Sequence, residues 1–208
     1  MTFTFLVEST TAHVKICGLK DEESVDVAVG SGAHAIGFVF VPSSPRYICR
    51  EDAEQLMLQL PSDIVGIAVL QNEPSLSPFK NWKGWLQLCG QEDKDVVAHA
   101  PCPVIKAIEW DEENVRYWDS CANLKAILVD GSSGGLGKKF DVSALAEVIT
   151  SIKTPIIIAG GLNPTNVCDV IRQANPAAVD VSSGIETELG VKDPHKISAF
   201  IQAVVDMR

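Results

Sequence analysis

The chain has 208 residues, of which 46% are hydrophobic, 21% charged and 6% aromatic. This composition is typical of a water-soluble globular protein with apolar material for one sizeable core, and the length allows one or two domains. The net charge of −10 disfavours the phosphates of nucleic acid and of anionic lipid, so we expect neither nucleic acid nor a membrane as a partner.

The amino-terminal segment and the cysteines suggest a cellular compartment. Residues 1–13 lack the basic stretch and the long apolar run of a secretory signal, and we interpret them as an extension before one domain over 14–208. No apolar run approaches the ~18 residues that span a membrane. The six cysteines have neither C-x-x-C nor zinc-type spacing, which predicts reduced thiols, no metal site and a cytoplasmic location.

Eight short apolar runs, most of them continuous rather than alternating, predict parallel strands that are covered on both faces. They fall at 13–17, 35–40, 64–70, 85–89, 103–108, 124–130, 155–160 and 177–182. Stretches of helix length separate most of these runs, so the predicted order alternates strand and helix.

Helices are predicted between several of these strands. Stretches 21–33 and 49–61 follow the first two strands, and Pro61 ends the second of them. The stretch 90–102 is barely long enough for a helix. Eight strands with mostly helical crossovers predict an α/β fold, a single-domain (β/α)8 TIM barrel. An open doubly wound sheet is the structural alternative.

Two helix starts have distinct capping signals. Asn163 and Pro164 follow the seventh strand, and Asp193 and Pro194 follow the eighth. Asparagine and aspartate are favoured caps, and proline is favoured at the first helical position. We therefore predict that helices begin at these two places.

The carboxyl ends of parallel barrel strands are where function collects. Cys17 ends the first strand and Asp130 the sixth, three steps apart in a ring of eight, so the two would flank the mouth from nearly opposite sides. An acid and a thiolate base so placed can move protons at two ends of one substrate. A buried inert thiol and a capping or ion-paired aspartate are the alternatives. Lys15 shares the face of Cys17, and the sequence leaves open whether it approaches the sulfur.

Three glycine-containing loops, 130–140, 159–164 and 181–186, follow the last three strands. Glycines let backbone N–H groups converge on an anion, and the loops after strands seven and eight are the usual phosphate site of such barrels. Tight turns without a ligand are the alternative. The predicted phosphate-binding residues are Gly135, Gly160, Gly161, Ser182, Ser183 and Gly184.

Arg46 follows the second strand in the stretch "SSPRY". Its planar guanidinium can bind a substrate carboxylate with two parallel hydrogen bonds. A surface cation without a ligand is the alternative interpretation.

Several of these stretches together resemble one family. The opening "VKICGLKDEESVDVAVGSGAHAIGFVFVPSSPRYI" is similar to the first third of phosphoribosylanthranilate isomerases, which serve tryptophan biosynthesis. Further similar stretches follow in order, namely "LQLCGQE", "PVIKAI", "ILVDGSSGGLGKKFD", "IIIAGGLNPTNV" and "VDVSSGIETELGVKDPHKISAFI". The resemblance covers nearly everything from Val14 onward.

The resemblance implies a single (β/α)8 barrel that performs an Amadori rearrangement of a small phosphorylated substrate without a cofactor. It implies that Cys17 is the general base, that Asp130 is the general acid, and that Arg46 holds the anthranilate carboxylate. We also assign Gln87 and Asp180, which lie in matched stretches, to substrate binding. The sequence does not determine the oligomeric state, and a monomer is the expectation.

The sequence departs from the family pattern in three places. Cys89 replaces the histidine of Q-L-H-G, Leu136 replaces a threonine, and "AVLQN" stands where the family usually has F-V-N. Two other functions remain open. One is a sugar-phosphate isomerase of histidine biosynthesis, although that chemistry calls for an aspartate in place of Cys17. The other is a catalytically weak barrel that binds a phosphorylated ligand.

Overall fold

The computed structural model describes residue 6 and residues 12–131 and 141–207. Eight parallel strands form a closed barrel in chain order, with the first strand paired to the last. The predicted barrel is confirmed, and the open sheet is wrong because the ring closes. The strands are β1 (His13–Cys17), β2 (Ala35–Val39), β3 (Val65–Leu70), β4 (Trp85–Leu88), β5 (Val104–Glu109), β6 (Leu124–Asp130), β7 (Ile156–Ala159) and β8 (Ala178–Val181).

The described helices lie between the strands and outside the ring. They are α1 (Glu22–Ser31), α2 (Arg50–Gln59), α3 (Lys94–Ala98), α4 (Glu112–Trp118), α5 (Val142–Ile149), α6 (Val167–Ala174) and α7 (Pro194–Val205). A 3-10 turn over Ser77–Asn81 takes the place of a helix between β3 and β4. The helices of the described ranges are all too short or too polar to cross a membrane.

The capping prediction is confirmed for α7 and wrong for α6. The Asp193 side chain accepts hydrogen bonds from the first turn of α7, which begins at Pro194. Helix α6 instead begins at Val167, with Asn166 as its cap residue. The Asn163 side chain accepts from the backbone N–H and the hydroxyl of Thr165, which closes a separate turn before the helix.

The core has two layers because side chains alternate along each strand. Val14 and Ile16 of β1 belong to the outer layer between strands and helices, whereas Cys17 belongs to the cluster inside the ring. Lys15 has the same parity as Cys17 and is fully buried. A charged side chain therefore lies in the barrel interior.

A two-stranded antiparallel hairpin follows β8. It consists of β9 (Glu186–Glu188) and β10 (Val191–Lys192), with Gly190 at a positive φ of 82° in the turn. The hairpin was not predicted, because two strands this short carry no periodicity. It places Glu186 opposite Lys192 beside the carboxyl end of β8.

Candidate active site

A cavity of about 300 Å³ opens at the carboxyl ends of the strands. Its walls come from the segments after β2, β6, β7 and β8. Most of the residues predicted from the sequence meet in it, namely Arg46, Asp130, Gly160, Gly161, Asp180, Ser182 and Ser183. The predicted Gly135 and the variant position Leu136 lie outside the described residues.

The loop after β7 is a wall that only glycine forms without strain. Gly160 and Gly161 have φ values of 88° and 68°, in the left-handed region where other residues are disfavoured. The side-chain amide of Asn166 donates to the carbonyl of Gly161 at 2.9 Å, and its oxygen accepts from Asn163 N–H at 2.8 Å. Asn166 thus holds this loop with the side chain that would otherwise cap α6.

Gly184 has a packing role. A Cβ atom at this position would overlap the carbonyl oxygen of Leu162, so the loops after β7 and β8 touch only because residue 184 is glycine. Gly184 is absent from the cavity wall, unlike its neighbours Ser182 and Ser183. Its assignment to phosphate binding therefore stays a prediction.

Cys17 is not among the residues that line this cavity, and it is 7% exposed. Asp130 ends β6, and the ring continues through β7 and β8 to β1, which Cys17 ends. The predicted separation of three steps around the ring is therefore confirmed. Cys17 pairs in register with Gly37 of β2. A Cβ atom at Gly37 would lie 2.9 Å from Cys17 Sγ and 3.3 Å from Lys15 Nζ. The missing side chain therefore leaves the thiol and the ammonium a shared space.

Lys15 has one carboxylate partner in this interior. Its Nζ donates to Asp180 Oδ1 at 2.7 Å, and the two residues are neighbours in the β1–β8 register. Burial opposes the charge of Lys15, but Asp180 and Cys17 together raise its pKa above the ordinary value. The ammonium is therefore protonated at neutral pH.

Opposing effects act on the Cys17 thiol. Burial raises its pKa above the ordinary value, and Asp180 adds to that rise. Lys15 and, more weakly, Lys192 oppose it by favouring the thiolate. The thiolate, which is the form that can act as a base, is therefore available only to the extent that the cations around Cys17 favour ionisation.

Arg46 is held by the hairpin. Its Nε donates to Glu186 Oε1 at 2.6 Å and its Nη2 to Glu186 Oε2 at 2.8 Å. Lys192 Nζ also donates to Glu186 Oε1, at 2.8 Å. Burial alone would raise the pKa of Glu186, but Arg46 and Lys192 lower it to about 2. Gly18 leaves room for the Arg46 side chain, since a Cβ atom at residue 18 would lie 2.7 Å from Arg46 Cδ.

Gln87 lies on β4, away from the walls of the 300 Å³ cavity. It is 4% exposed, and its Nε2 donates to Cys89 Sγ at 3.3 Å. Its Oε1 is buried and meets no donor within the described ranges. Burial raises the pKa of Cys89 to about 11, so this thiol is neutral at pH 7. A buried acceptor without a donor costs folding free energy, so the position of Gln87 Oε1 is consistent with a hydrogen bond from a bound ligand.

A second cavity of about 610 Å³ lies beside β4 and β5, with Cys89 and Lys106 in its walls. Lys106 is buried, and its Nζ donates to Glu92 Oε2 at 2.9 Å and to the carbonyl of Gly90 at 2.6 Å. This pair anchors the loop that carries Cys89.

Sequence reasoning missed two charged residues of this site. Glu186 ends the predicted glycine loop 181–186 and Lys192 lies just before the predicted start of the last helix, but neither was assigned a role. Both are buried because β9 and β10 pair across the end of β8. The nearest signal was Gly190, which marks the hairpin turn.

A carboxylic acid, a guanidinium, a buried thiol and glycine loops at the carboxyl end of a closed parallel barrel define the class of (β/α)8-barrel enzymes. Residues 14–203 match the profile of the family described as N-(5′-phosphoribosyl)anthranilate (PRA) isomerase. The chain belongs to this family.

Relatives and solved structures agree with the family match. The N-(5′-phosphoribosyl)anthranilate isomerase of Streptococcus pneumoniae is 41% identical over 195 residues, which cover 92% of this chain and 94% of the relative. The crystal structure of phosphoribosyl anthranilate isomerase from Thermotoga maritima has 34% identity and a TM-score of 0.83, covering 94% of this chain and 99% of its own. A structure of phosphoribosyl anthranilate isomerase in complex with reduced 1-(o-carboxyphenylamino)-1-deoxyribulose 5-phosphate has 32% identity, a TM-score of 0.82 and the same coverage.

Proposed function

We propose that this protein isomerises N-(5′-phosphoribosyl)anthranilate to 1-(2-carboxyphenylamino)-1-deoxyribulose 5-phosphate in tryptophan biosynthesis. Family membership names the reaction, and one observation carries the assignment to this chain. Asp130, Arg46 and residues of the loops after β7 and β8 share a single cavity at the carboxyl ends of the strands, and Cys17 ends β1 in the same ring. An acid, a base and two anion-binding elements are what this rearrangement requires.

The proposed chemistry divides two proton transfers between Asp130 and Cys17. Asp130 gives a proton to the furanose ring oxygen, the C1′–O bond breaks, and a Schiff base forms with the anthranilate nitrogen. The Cys17 thiolate then removes the proton at C2′ to give an enolamine, which takes up a proton at C1′, loses the proton of its 2′-hydroxyl and becomes the ketose. Each positioned transfer contributes on the order of 10²–10⁴ in rate.

The two anionic ends of the substrate fit the two polar parts of the site. Gly160, Gly161, Ser182 and Ser183 line the part that we assign to the phosphate. Arg46 is held on one edge by Glu186 and is assigned to the anthranilate carboxylate. These local groups attract anions although the whole chain carries a charge of −10.

Two further residues are assigned to the middle of the substrate. Gln87 Oε1, which has no donor among the described residues, accepts a hydrogen bond from the sugar or from the anilino nitrogen. Asp180 faces the cavity while bound to Lys15, and it binds a sugar hydroxyl.

The first prediction tests the acid and the base. Cys17→Ser and Asp130→Asn each lower kcat at least about a hundredfold, because each removes one positioned proton transfer. The assay follows the loss of substrate fluorescence. Asp26→Asn, on the exposed side of α1, is the control and keeps wild-type rates. Full activity in either active-site variant would exclude the role assigned to that residue.

A weak phosphate-binding barrel remains the second candidate because of Cys89. A neutral thiol here supplies no cation, whereas a histidine could. The second prediction is that Cys89→His raises kcat/KM, measured in the same assay, and Cys89→Ala is the control for loss of the thiol. Binding of a phosphate ester without turnover by the wild type would favour the second candidate. A lower rate in Cys89→His would mean that the loop is adapted to cysteine.

We also propose that the protein is a cytoplasmic monomer. All six cysteines are free thiols, as expected for a reducing compartment. Light scattering coupled to gel filtration tests the oligomeric state, and a dimer mass would overturn the proposal.

A further inference from the structure

The Lys15–Asp180 pair has no evident structural purpose. Lys15 is fully buried in the barrel interior and Asp180 is 7% exposed. Removing two charges from water costs about as much as their attraction returns, and apolar side chains of similar volume often stabilise a core equally well. A buried pair in the centre of a barrel therefore calls for a reason other than stability.

The geometry around Gly37 supplies such a reason. Lys15 Nζ and Cys17 Sγ lie 3.3 Å and 2.9 Å from the position that a Gly37 Cβ would occupy. Lys15 and Cys17 precede and follow Ile16 in the sequence, and the Ile16 side chain belongs to the outer layer of the core. The ammonium and the thiol therefore border the same space, which Gly37, the register partner of Cys17, leaves free.

The charged and titratable groups that interact electrostatically with Cys17 come from several elements. They are Lys15 of β1, Asp180 of β8, Lys192 of β10, Arg46 after β2 and Cys89 after β4. Arg46 and Lys192 both bind Glu186, which offsets their charges locally. Lys15 acts on the thiol more strongly than any of the others.

We infer that Lys15 is a positioning residue whose ammonium serves as the counter-ion of the Cys17 thiolate. Asp180 keeps that ammonium charged and fixed before the thiol ionises, and Lys15 then balances the negative charge that forms on the sulfur. The inference rests on the proposed role of Cys17 as the base and explains how a buried thiol can perform it. Both members of the ion pair belong to the chain itself, so we expect the effect in the enzyme alone.

The test is the alkylation rate of Cys17 by iodoacetamide, measured from pH 6 to 10 by mass spectrometry of its peptide. Only the thiolate reacts. Lys15→Met is close in length to lysine and carries no charge. We expect it to slow the reaction at pH 7.5 at least about tenfold, since each unit of thiol pKa changes the thiolate fraction tenfold. The acid limb of the kcat/KM profile moves to higher pH by the same amount.

Lys106→Met is the matched control. It removes another buried lysine that pairs with a carboxylate, but one that is not among the main groups acting on the Cys17 thiol. We expect a similar loss of stability with an unchanged pH profile for Cys17. An unchanged Cys17 profile in a folded Lys15→Met variant, or an equal shift in Lys106→Met, overturns the inference.

Lys15→Met leaves Asp180 charged and unpaired, and such a variant can fail to fold. The double variant Lys15→Met, Asp180→Asn removes both charges together and avoids this. Because Lys15 affects the thiol more than Asp180 does, we expect slower alkylation here too. Equal or faster alkylation overturns the inference. Full activity in Cys17→Ser would instead refute the base role and leave the alkylation result intact, so the two failures are distinguishable.

Discussion

Gly37 is the residue on which the closeness of thiol and ammonium depends. It belongs to β2, and any Cβ there would approach Cys17 Cα to 3.2 Å as well as the sulfur to 2.9 Å. Contacts that short force the neighbours to move. Gly37 therefore has a role in the site although it makes no polar contact with a side chain.

The third prediction is that Gly37→Ala lowers kcat by about tenfold to a hundredfold, because small displacements of a reacting group have effects of this size. Gly30→Ala on α1 is the control, since a Cβ there meets nothing within 4 Å. That change should stabilise the helix by about 0.5–1 kcal/mol and leave kcat unchanged. Steady-state kinetics and urea unfolding of both variants provide the measurement, and a wild-type kcat in Gly37→Ala would contradict the prediction.

At the residue scale, the sequence predicts where a side chain lies in the barrel better than it predicts which side chain it contacts. Cys17 and Asp130 are predictable because a strand's last residue in a parallel barrel faces the mouth. Arg46 was placed correctly at the rim, but its pairing with Glu186 was not foreseeable, since 140 positions separate the two. Contacts of this kind depend on which loops meet, and no local pattern records that.

At the scale of elements, the β9–β10 hairpin organises one side of the site. Glu186 accepts from Arg46 and Lys192, while Lys192 also donates to the carbonyl of Ser182 at 2.9 Å. The hairpin thus connects the loop after β2 to the loop after β8. Its charges are buried, so they are screened less by salt than a surface pair would be.

The fourth prediction concerns acid. The pKa of Glu186 is about 2 in the fold, below its ordinary 4.5. A lowered pKa adds stability that is fully present above the unfolded value and is lost as pH falls towards the folded value. The free energy of unfolding should therefore fall between about pH 4.5 and 2 more steeply in the wild type than in Glu186→Gln.

Urea titrations at a series of pH values measure that difference. Glu54→Gln is the control, because Glu54 pairs with Arg50 on the exposed surface of α2. Its pH dependence should follow the wild type, since exposed pairs contribute little. Parallel curves for the wild type and Glu186→Gln would refute the buried network as a source of stability.

At the scale of the whole molecule, the fold follows from the pattern of apolar residues. Continuous apolar runs are what a doubly covered strand requires, so all eight strands were predicted near their observed bounds. The exceptions are short elements. The hairpin after β8 and the 3-10 turn over Ser77–Asn81 have too few residues for a period, and the start of α6 shifted because Asn166 binds a loop instead.

The fifth prediction tests how α7 supports the ring. Phe200 of α7 is fully buried, and the helix packs against α1 and β1. Phe200→Ala should lower the free energy of unfolding by about 3–5 kcal/mol, the usual effect of removing a buried aromatic ring. Leu58→Ala is the control, because Leu58 is 80% exposed, and it should change stability by no more than about 0.5 kcal/mol. Urea unfolding followed by tryptophan fluorescence measures both, and equal midpoints would contradict the prediction.

The Lys15–Asp180 pair also has a consequence during synthesis. The two residues are 165 positions apart, and they belong to the first and last strands of the ring. At about 5–20 residues per second, a ribosome needs on the order of ten to thirty seconds to make the intervening chain. Throughout that time β1 has one unpaired edge and Lys15 has no carboxylate partner. The nascent chain therefore acquires the charge arrangement beside Cys17 only when β8 closes the barrel, and a chain that ends before Asp180 lacks the carboxylate partner of Lys15.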